Sequence, residues 1–233
     1  MSRGYSKKMK FVLFDIDGTL IDSGGAGVKA LNRAFEEIFS VCDAFSSISL
    51  AGKTDLQILT EGMILHNVAS SNGIVPEFLE SYITHLRSTI NAAEGHVKAG
   101  IREALAALED SDQCILGLLT GNIEQGAMIK LEAFDLDRYF EVGAYGNDDA
   151  DRNRLLPIAR EKLRKSRSLD IDYRNCIVVG DTPRDVECTK PYGAYSIGVA
   201  TGPYSCSLLE EAGADAVFCD LSDTMSFLNL VKK

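Results

Sequence analysis

The sequence predicts an α/β protein in which a doubly wound parallel sheet forms the core and a helical domain is inserted after the first strand. Short continuous runs of apolar residues recur along the chain, as is typical of strands covered on both faces. Helical patterns alternate with these runs, which favours parallel pairing. Residues 23–92 contain helical patterns alone. We therefore assign residues 1–22 and 93–233 to the core and residues 23–92 to an inserted helical cap.

Composition narrows the classes of partner. The 233 residues carry a formal net charge of -10, which argues against nucleic-acid and anionic-membrane partners because both require a basic surface. A small anionic substrate is compatible with this charge, since a local cation can reverse the sign of one pocket. The six cysteines form no Cys-x-x-Cys pair and no zinc-like cluster. They indicate a reducing, cytoplasmic setting, and the apolar run near the N-terminus is too short for a signal peptide or a membrane span.

The first predicted strand, residues 11–14, ends at two closely spaced carboxylates. If the strand continues, Asp15 and Asp17 point the same way and lie roughly 6–7 Å apart. Carboxylates that close repel one another, so either one holds a proton or a cation binds between them. Gly18 then permits a tight turn. A polar Asp-Gly turn without chemistry is the alternative interpretation of this short pattern.

Three helices are predicted in the cap from apolar residues at helical spacing. The first follows a glycine-rich turn that lacks the ending of a nucleotide-binding P-loop. A Thr-Asp pair is suited to cap the second, and a proline suited to a first helical turn begins the third. These helices are expected at residues 28–39, from Thr54 or Asp55 onward, and at 76–90, with a polar break at 70–73.

The remainder of the chain alternates between strands and helices, which indicates a Rossmann-like core. Strands are predicted at residues 114–119, 176–179, 195–199 and 216–218, with a short strand or turn within 139–144. Helices are predicted at residues 98–108, 123–134, 154–163 and 207–211, with a further short helix after Asp185.

Several polar side chains follow the ends of these strands. Asp15 and Asp17 end the first strand, Thr120 ends the second, and Asp181 ends the third. In parallel α/β sheets the ligand binds beyond the carboxyl ends of the strands, so we expect all four residues to face one crevice that the cap covers.

Carboxylates gathered in this way suit Mg²⁺, a hard cation that prefers oxygen ligands and substrate phosphates. Asp15 and Asp181 are the expected direct ligands, with Asp185 behind them. Thr120 and the backbone of Gly121 would cradle a phosphate. Because phosphate monoesters hydrolyse very slowly without catalysis, we expect a carboxylate nucleophile, Asp15, and a general acid, Asp17.

Three motifs carry a family resemblance. Residues 15–20 (Asp-Ile-Asp-Gly-Thr-Leu), 118–122 (Leu-Leu-Thr-Gly-Asn) and 180–185 (Gly-Asp-Thr-Pro-Arg-Asp) resemble motifs of the haloacid-dehalogenase-like superfamily, in particular its phosphoglycolate-phosphatase-like branch. The resemblance implies a phosphatase of small phosphorylated metabolites that uses Mg²⁺ and an aspartyl-phosphate on Asp15. It also implies that Asp17 protonates the leaving group, then activates water, and binds Mg²⁺ through its backbone carbonyl.

The sequence departs from the family pattern at the third motif, where a lysine is expected. The segment 149–157 contains no lysine. Counting along the apolar face of the following helix selects Arg152 as the cation beside Asp15, with Arg154 as second choice. Arginine stays charged and binds phosphate in a bidentate manner, although a solvated charge run is the alternative. Lys53 in the cap would suit an anionic leaving group such as a carboxylate, or it is a surface lysine.

Alternatives to a phosphatase remain open from the sequence. A sugar phosphomutase of the same superfamily would use the same residues. A signalling receiver domain also combines an aspartate with Mg²⁺, but it is about half this length and has no such cap. A cap-bearing scaffold that binds without turnover is a further alternative. Neither the physiological substrate nor the oligomeric state can be inferred from the sequence.

Overall fold

The computed structural model describes residues 9–69, 73–91 and 94–233. Residues 70–72 of the predicted polar break at 70–73, and the predicted cap boundary at 92 and 93, lie outside the described residues. Among the residues that the structure describes, no helix has both the length and the apolar character that a membrane span requires.

The core is a six-stranded sheet in which every neighbouring pair is parallel, as predicted. The strands of the described residues are β1 (Lys10–Phe14), β2 (Ile21–Asp22), β3 (His96–Val97), β4 (Cys114–Leu119), β5 (Gly143–Ala144), β6 (Cys176–Gly180), β7 (Tyr195–Val199) and β8 (Ala216–Phe218). The sheet has the order β5-β4-β1-β6-β7-β8. The predicted α/β fold class is thereby confirmed, and the first strand lies at the centre of the sheet.

Helices cover both faces of this sheet. They are α1 (Ala26–Phe39), α2 (Asp55–Leu65), α3 (Ile74–Thr89), α4 (Ile101–Glu109), α5 (Glu124–Glu132), α6 (Leu155–Arg167), α7 (Pro183–Glu187), α8 (Cys206–Glu211) and α9 (Thr224–Val231). Successive side chains of a strand point to opposite faces. Accordingly, Val12 and Phe14 of β1 pack in a cluster with α4, α5 and α9, whereas Phe11 and Leu13 pack with α6.

The helices α1, α2 and α3 together with the connection between α1 and α2, which we call the helical segment, build a third hydrophobic cluster of their own. Phe35 lies within this cluster and contacts the rings of Phe45 and Phe78. The helical segment leaves the core through β2 and returns through β3, and these two strands pair antiparallel. Ile123 and Ile129 join the same cluster, so the helical segment packs against α5.

The structure differs from the predicted elements in several places. The helix α3 begins at Ile74 after Gly73, so Pro76 is its third residue and not its start. The pair β2–β3 was not predicted because two-residue strands leave no periodic pattern. The C-terminal helix α9 was not predicted either. Its eight residues are few for a periodicity argument, but Asp223 caps it and Phe227 packs near Phe14.

Candidate active site

The sheet order brings three predicted site residues together. Because β1 lies between β4 and β6, the residues that follow these strands are neighbours at one edge of the sheet. Thr120 follows β4, Asp15 follows β1 and Asp181 follows β6. All three side chains are buried. The crevice predicted at the carboxyl ends of the strands therefore exists.

Three carboxylates gather at this edge, and we call them the acid cluster: Asp15, Asp181 and Asp185. One oxygen from each lies within 4.8 Å of the others, and all three residues are buried. Burial raises the pKa of Asp15 to about 6, although Arg152 opposes the rise. Burial, followed by repulsion from Asp185 and Asp15, raises the pKa of Asp181 well above its ordinary value. The cluster thus places three carboxyl groups close together in surroundings that disfavour their charged forms.

Arg152 is the buried cation beside the acid cluster. Its Nη2 lies 3.3 Å from Asp15 Oδ2 and 2.5 Å from Asp185 Oδ1, and it also donates to the Leu119 carbonyl. Burial lowers the pKa of Arg152, but Asp15 and Asp185 raise it by more, so the guanidinium stays charged. Arg154, the second choice, is 69% exposed and pairs with Asp149. Of the two arginines, only Arg152 reaches Asp15.

The donor set of the acid cluster fits a hard divalent cation. Of the three buried carboxylates, Asp15 and Asp185 pair with the Arg152 guanidinium, and repulsion between carboxylates remains in a low-dielectric environment. Carboxylate oxygens are the ligands that Mg²⁺ prefers. Asp185 was predicted behind the direct ligands, yet its carboxylate lies within the cluster. Its Oδ2 accepts hydrogen bonds from the backbone N–H and hydroxyl of Thr182, so part of its bonding capacity is already used.

Asp17 has a different environment from Asp15. Its side chain is 43% exposed and lies outside the acid cluster. Asp17 Oδ2 accepts one hydrogen bond from Lys130 Nζ at 2.6 Å and a second from Asn122 Nδ2 at 2.9 Å. The side chain of Asp17 therefore does not join the candidate metal ligands, and its predicted role as a ligand through the backbone carbonyl stays a prediction.

Sequence reasoning missed Lys130, Asn122 and Asp55 as members of the site. Asn122 belongs to the second motif, but only Thr120 and Gly121 were selected from it. Lys130 interrupts the apolar residues Ile129 and Leu131 on α5, which was the available signal of a buried charge.

Thr120 and Gly121 form the end of β4. The Thr120 hydroxyl accepts hydrogen bonds from the backbone N–H and from Nδ2 of Asn122. A side chain on Gly121 would begin 2.0 Å from the carbonyl oxygen of Lys53, so the helical segment approaches the core closely here. Gly121 also accepts a hydrogen bond from the Asp55 backbone N–H. The same glycine that was predicted to cradle phosphate thus holds the helical segment.

A cavity of about 490 Å³ lies between the strand ends and the helical segment. Asp15, Asp17 and Asp181 line it from the core, and Lys53 and Asp55 line it from the helical segment. The Lys53 ammonium forms an ion pair with Glu61. Asp55 Oδ2 accepts a hydrogen bond from the Ile123 backbone N–H at the start of α5, and burial raises the pKa of Asp55 to about 6 although Lys130 opposes the rise. The cavity therefore carries charges of both signs.

Comparison with known proteins identifies the family of this chain. The family model described as haloacid dehalogenase-like hydrolase matches residues 12–199. A phosphoglycolate phosphatase from Agrobacterium fabrum is 28% identical over 211 residues, which cover 90% of this chain and 88% of that protein. These matches confirm the predicted family and the predicted hydrolytic enzyme.

Solved structures show the same fold. A hydrolase from Pseudomonas syringae superposes with a TM-score of 0.72 at 22% identity, over 95% of this chain and 98% of that chain. CbbY from Rhodobacter sphaeroides, in complex with phosphate, superposes with a TM-score of 0.71 at 16% identity, over 92% and 96%. Because the family model spans most of the chain and the three motifs meet at one sheet edge, the protein belongs to the haloacid dehalogenase-like hydrolase family, and its sequence is phosphoglycolate-phosphatase-like.

Proposed function

We propose that the protein is a Mg²⁺-dependent phosphatase that hydrolyses a small phosphorylated metabolite through an aspartyl-phosphate on Asp15. One observation carries the proposal: two aspartates of the same turn face one cavity in opposite environments. Asp15 is buried between Arg152 and the other members of the acid cluster, and Asp17 is half-exposed with Oδ1 outside its two hydrogen bonds. A nucleophile and a general acid require this kind of difference.

In the proposed first step, an Asp15 carboxylate oxygen forms a bond to phosphorus while the ester P–O bond breaks. The leaving oxygen takes a proton from Asp17, so an alcohol departs. Arg152 lies 3.3 Å from Asp15 Oδ2 and keeps that carboxylate in place as it attacks phosphorus, while the electron pair of the breaking P–O bond goes to the leaving oxygen. The buried Nε of Arg152 has no hydrogen-bond partner among the residues that the structure describes, so this guanidinium keeps a donor that is not used.

In the second step, Asp17, now ionised, takes a proton from water as the water attacks phosphorus. The P–O bond to Asp15 breaks, inorganic phosphate leaves, and both aspartates return to their starting states. Thr120 and Gly121, at the end of β4, are proposed to bind the phosphoryl oxygens.

The residues proposed to hold Mg²⁺ are Asp15 and Asp181, with Asp185 adjacent and the Asp17 backbone carbonyl as the family resemblance implies. When bound, the ion supplies neutralisation of the phosphoryl charge and alignment of the reacting oxygens. The burial of these carboxylates, which raises the pKa values of Asp15 and Asp181, supports the presence of a cation in the working enzyme.

We propose further that residues 23–92 are a cap domain and that Lys53 binds the leaving group. The separate hydrophobic cluster of the helical segment and its paired connections β2 and β3 support this division. A cavity of about 490 Å³ suits a small molecule. The phosphoglycolate phosphatase among the relatives supports an anionic leaving group such as a carboxylate, with which Lys53 would pair in place of Glu61.

The test is a screen of phosphorylated metabolites, including phosphoglycolate and sugar phosphates, for phosphate release with and without Mg²⁺. We expect Mg²⁺-dependent release that Asp15→Asn lowers by at least about 10⁴-fold, as for loss of other nucleophiles. Activity in Asp15→Asn equal to wild type would contradict the proposal. A sugar phosphomutase would instead depend on a sugar bisphosphate and release no net phosphate. The control, Arg154→Met, changes an exposed cation of the same segment and should keep wild-type activity.

A further inference from the structure

We propose that Lys130 is the positioning residue for Asp17: it holds the carboxylate in the orientation that protonates the leaving group, and it does so only while the helical segment is docked. This inference rests on the proposed function, because it concerns the step in which Asp17 gives its proton to an ester oxygen.

Hydrogen bonds join the Lys130 ammonium, the Asn122 amide and the Asp17 carboxylate to one another. Its Nζ donates to Asp17 Oδ2 at 2.6 Å and to Asn122 Oδ1 at 2.7 Å, while Asn122 Nδ2 donates to the same Asp17 oxygen at 2.9 Å. Both donors bind Oδ2, so rotation of the carboxylate is blocked and Oδ1 is left for the substrate. Among the described residues the ion pair of Lys130 is with Asp17, whereas Asp15 and Asp185 pair with Arg152, so Lys130 acts on the proton donor and not on the acid cluster.

Stability alone is a weak reason for a lysine at this position. The Lys130 side chain is 5% exposed and lies on α5 between the buried residues Ile129 and Leu131. A buried ammonium loses its hydration, and the ion pair that replaces it often gains no more stability than a well-packed apolar side chain would give. The charge is therefore better explained by what it does to Asp17.

The helical segment encloses the ammonium. A side chain on Gly27 of α1 would begin 3.0 Å from Lys130 Nζ, so this glycine leaves the space that the ammonium occupies. From the first turn of α2, the Asp55 carboxylate is close enough for Lys130 to oppose the rise of its pKa. If the helical segment moves away, Lys130 becomes accessible to water and its hold on Asp17 weakens. The orientation of the proton donor is thus linked to the docking of the helical segment.

The experiment compares two esters that differ in their need for a proton. Phosphoglycolate has an alkyl leaving group that needs the acid, whereas para-nitrophenyl phosphate has a leaving group that departs without protonation. For Lys130→Met we expect kcat/KM to fall by about 100-fold or more with phosphoglycolate, the lower end for loss of general acid catalysis, and by under about 10-fold with para-nitrophenyl phosphate. Asp17→Asn should show the same selective loss, and the exposed control Lys165→Met should show none.

An equal loss with both esters would mean that Lys130 only supports the fold, and it would overturn the inference. If Lys130→Met does not fold, as judged by circular dichroism, Lys130→Gln keeps a donor without the charge and carries the same test. A wild-type enzyme that hydrolyses neither phosphoglycolate nor any other alkyl phosphate of the screen would refute the proposed function. A wild type that hydrolyses an alkyl phosphate while Lys130→Met loses both esters equally would refute this inference alone.

Discussion

The cavity has one region around Asp15 and another around Asp17, and different parts of the protein form them although the two aspartates are only two residues apart. The acid cluster around Asp15 lies on the ends of adjacent strands, and Arg152 is the buried cation that contacts it. The side chain of Asp17 instead joins Lys130 and Asn122 of the segment that follows β4, next to Gly27 and Asp55 of the helical segment. The first region is made by the core alone, whereas the second is completed by the helical segment.

The surroundings of the two aspartates in this short turn therefore depend on the helical segment to different degrees. The acid cluster should keep its geometry whether or not the helical segment is docked, because the strands β4, β1 and β6 fix it. The surroundings of Asp17 should change when the helical segment moves. Substitutions in the two regions therefore have distinguishable effects.

The largest effect is expected from Arg152→Met, which breaks the acid cluster. Asp15 and Asp185 would lose the guanidinium that pairs with them, and removal of one partner from a buried ion pair typically costs about 3–5 kcal/mol. Urea unfolding in Mg²⁺-free buffer should show this loss in the free energy of unfolding, and saturating Mg²⁺ should restore part of it because the ion binds the folded state alone. Arg152→Lys should lose less.

The matched control for this prediction is Arg154→Met, since Arg154 is exposed and pairs with Asp149. Its stability should stay within about 0.5 kcal/mol of wild type, as for other surface substitutions. Equal stability of Arg152→Met and wild type without Mg²⁺ would show that the carboxylates do not depend on this arginine.

A smaller effect, and one that depends on pH, is expected from Asp55→Asn on the other side of the comparison. Burial raises the pKa of Asp55 from 3.8 to about 6, so its ionisation opposes folding. The stability that Asp55 contributes is complete below pH 3.8 and is lost as the pH rises through about 6. Asparagine does not ionise. The stability of Asp55→Asn relative to wild type should therefore increase between about pH 4 and pH 7, by up to about 3 kcal/mol.

The measurement is urea unfolding of both proteins at a series of pH values. A stability difference that stays constant over this pH range would show that the Asp55 carboxyl group is not desolvated in solution.

The smallest effect is expected from Gly121→Ala, which tests how closely the helical segment approaches the end of β4. The new methyl group would begin 2.0 Å from the Lys53 carbonyl oxygen, so the helical segment must shift away from β4. Overpacking of this kind costs about 1–3 kcal/mol. Hydrogen exchange should become faster in α2, while the strands β1 and β6 keep their protection.

Gly126→Ala is the matched control on the neighbouring helix α5, because an added Cβ meets its nearest atoms at 3.5 Å, an ordinary contact. It should be neutral or slightly stabilising, since alanine favours a helix over glycine by about 1 kcal/mol. Unchanged exchange in α2 of Gly121→Ala would contradict the close approach.

The strands of the core and the polar residues at their ends could be predicted from the sequence. Continuous apolar runs identify buried strands because the signal is local, and Asp15, Thr120 and Asp181 follow those runs directly. Arg152 could be selected because the apolar face of α6 sets the position of the residues before it. Lys53 was placed on the cavity, although its ion pair with Glu61 was not foreseen.

Which of these residues contact one another, and what environment each one has, follows from the tertiary structure alone. The order β4-β1-β6 makes the strand ends neighbours, and no local pattern encodes that order. Lys130 is 113 residues from Asp17 along the chain. A lysine on a helix is ordinarily solvated, and this one is buried because the helical segment packs over it. The difference between Asp15 and Asp17 is therefore a property of packing, since a local sequence pattern treats the two aspartates alike.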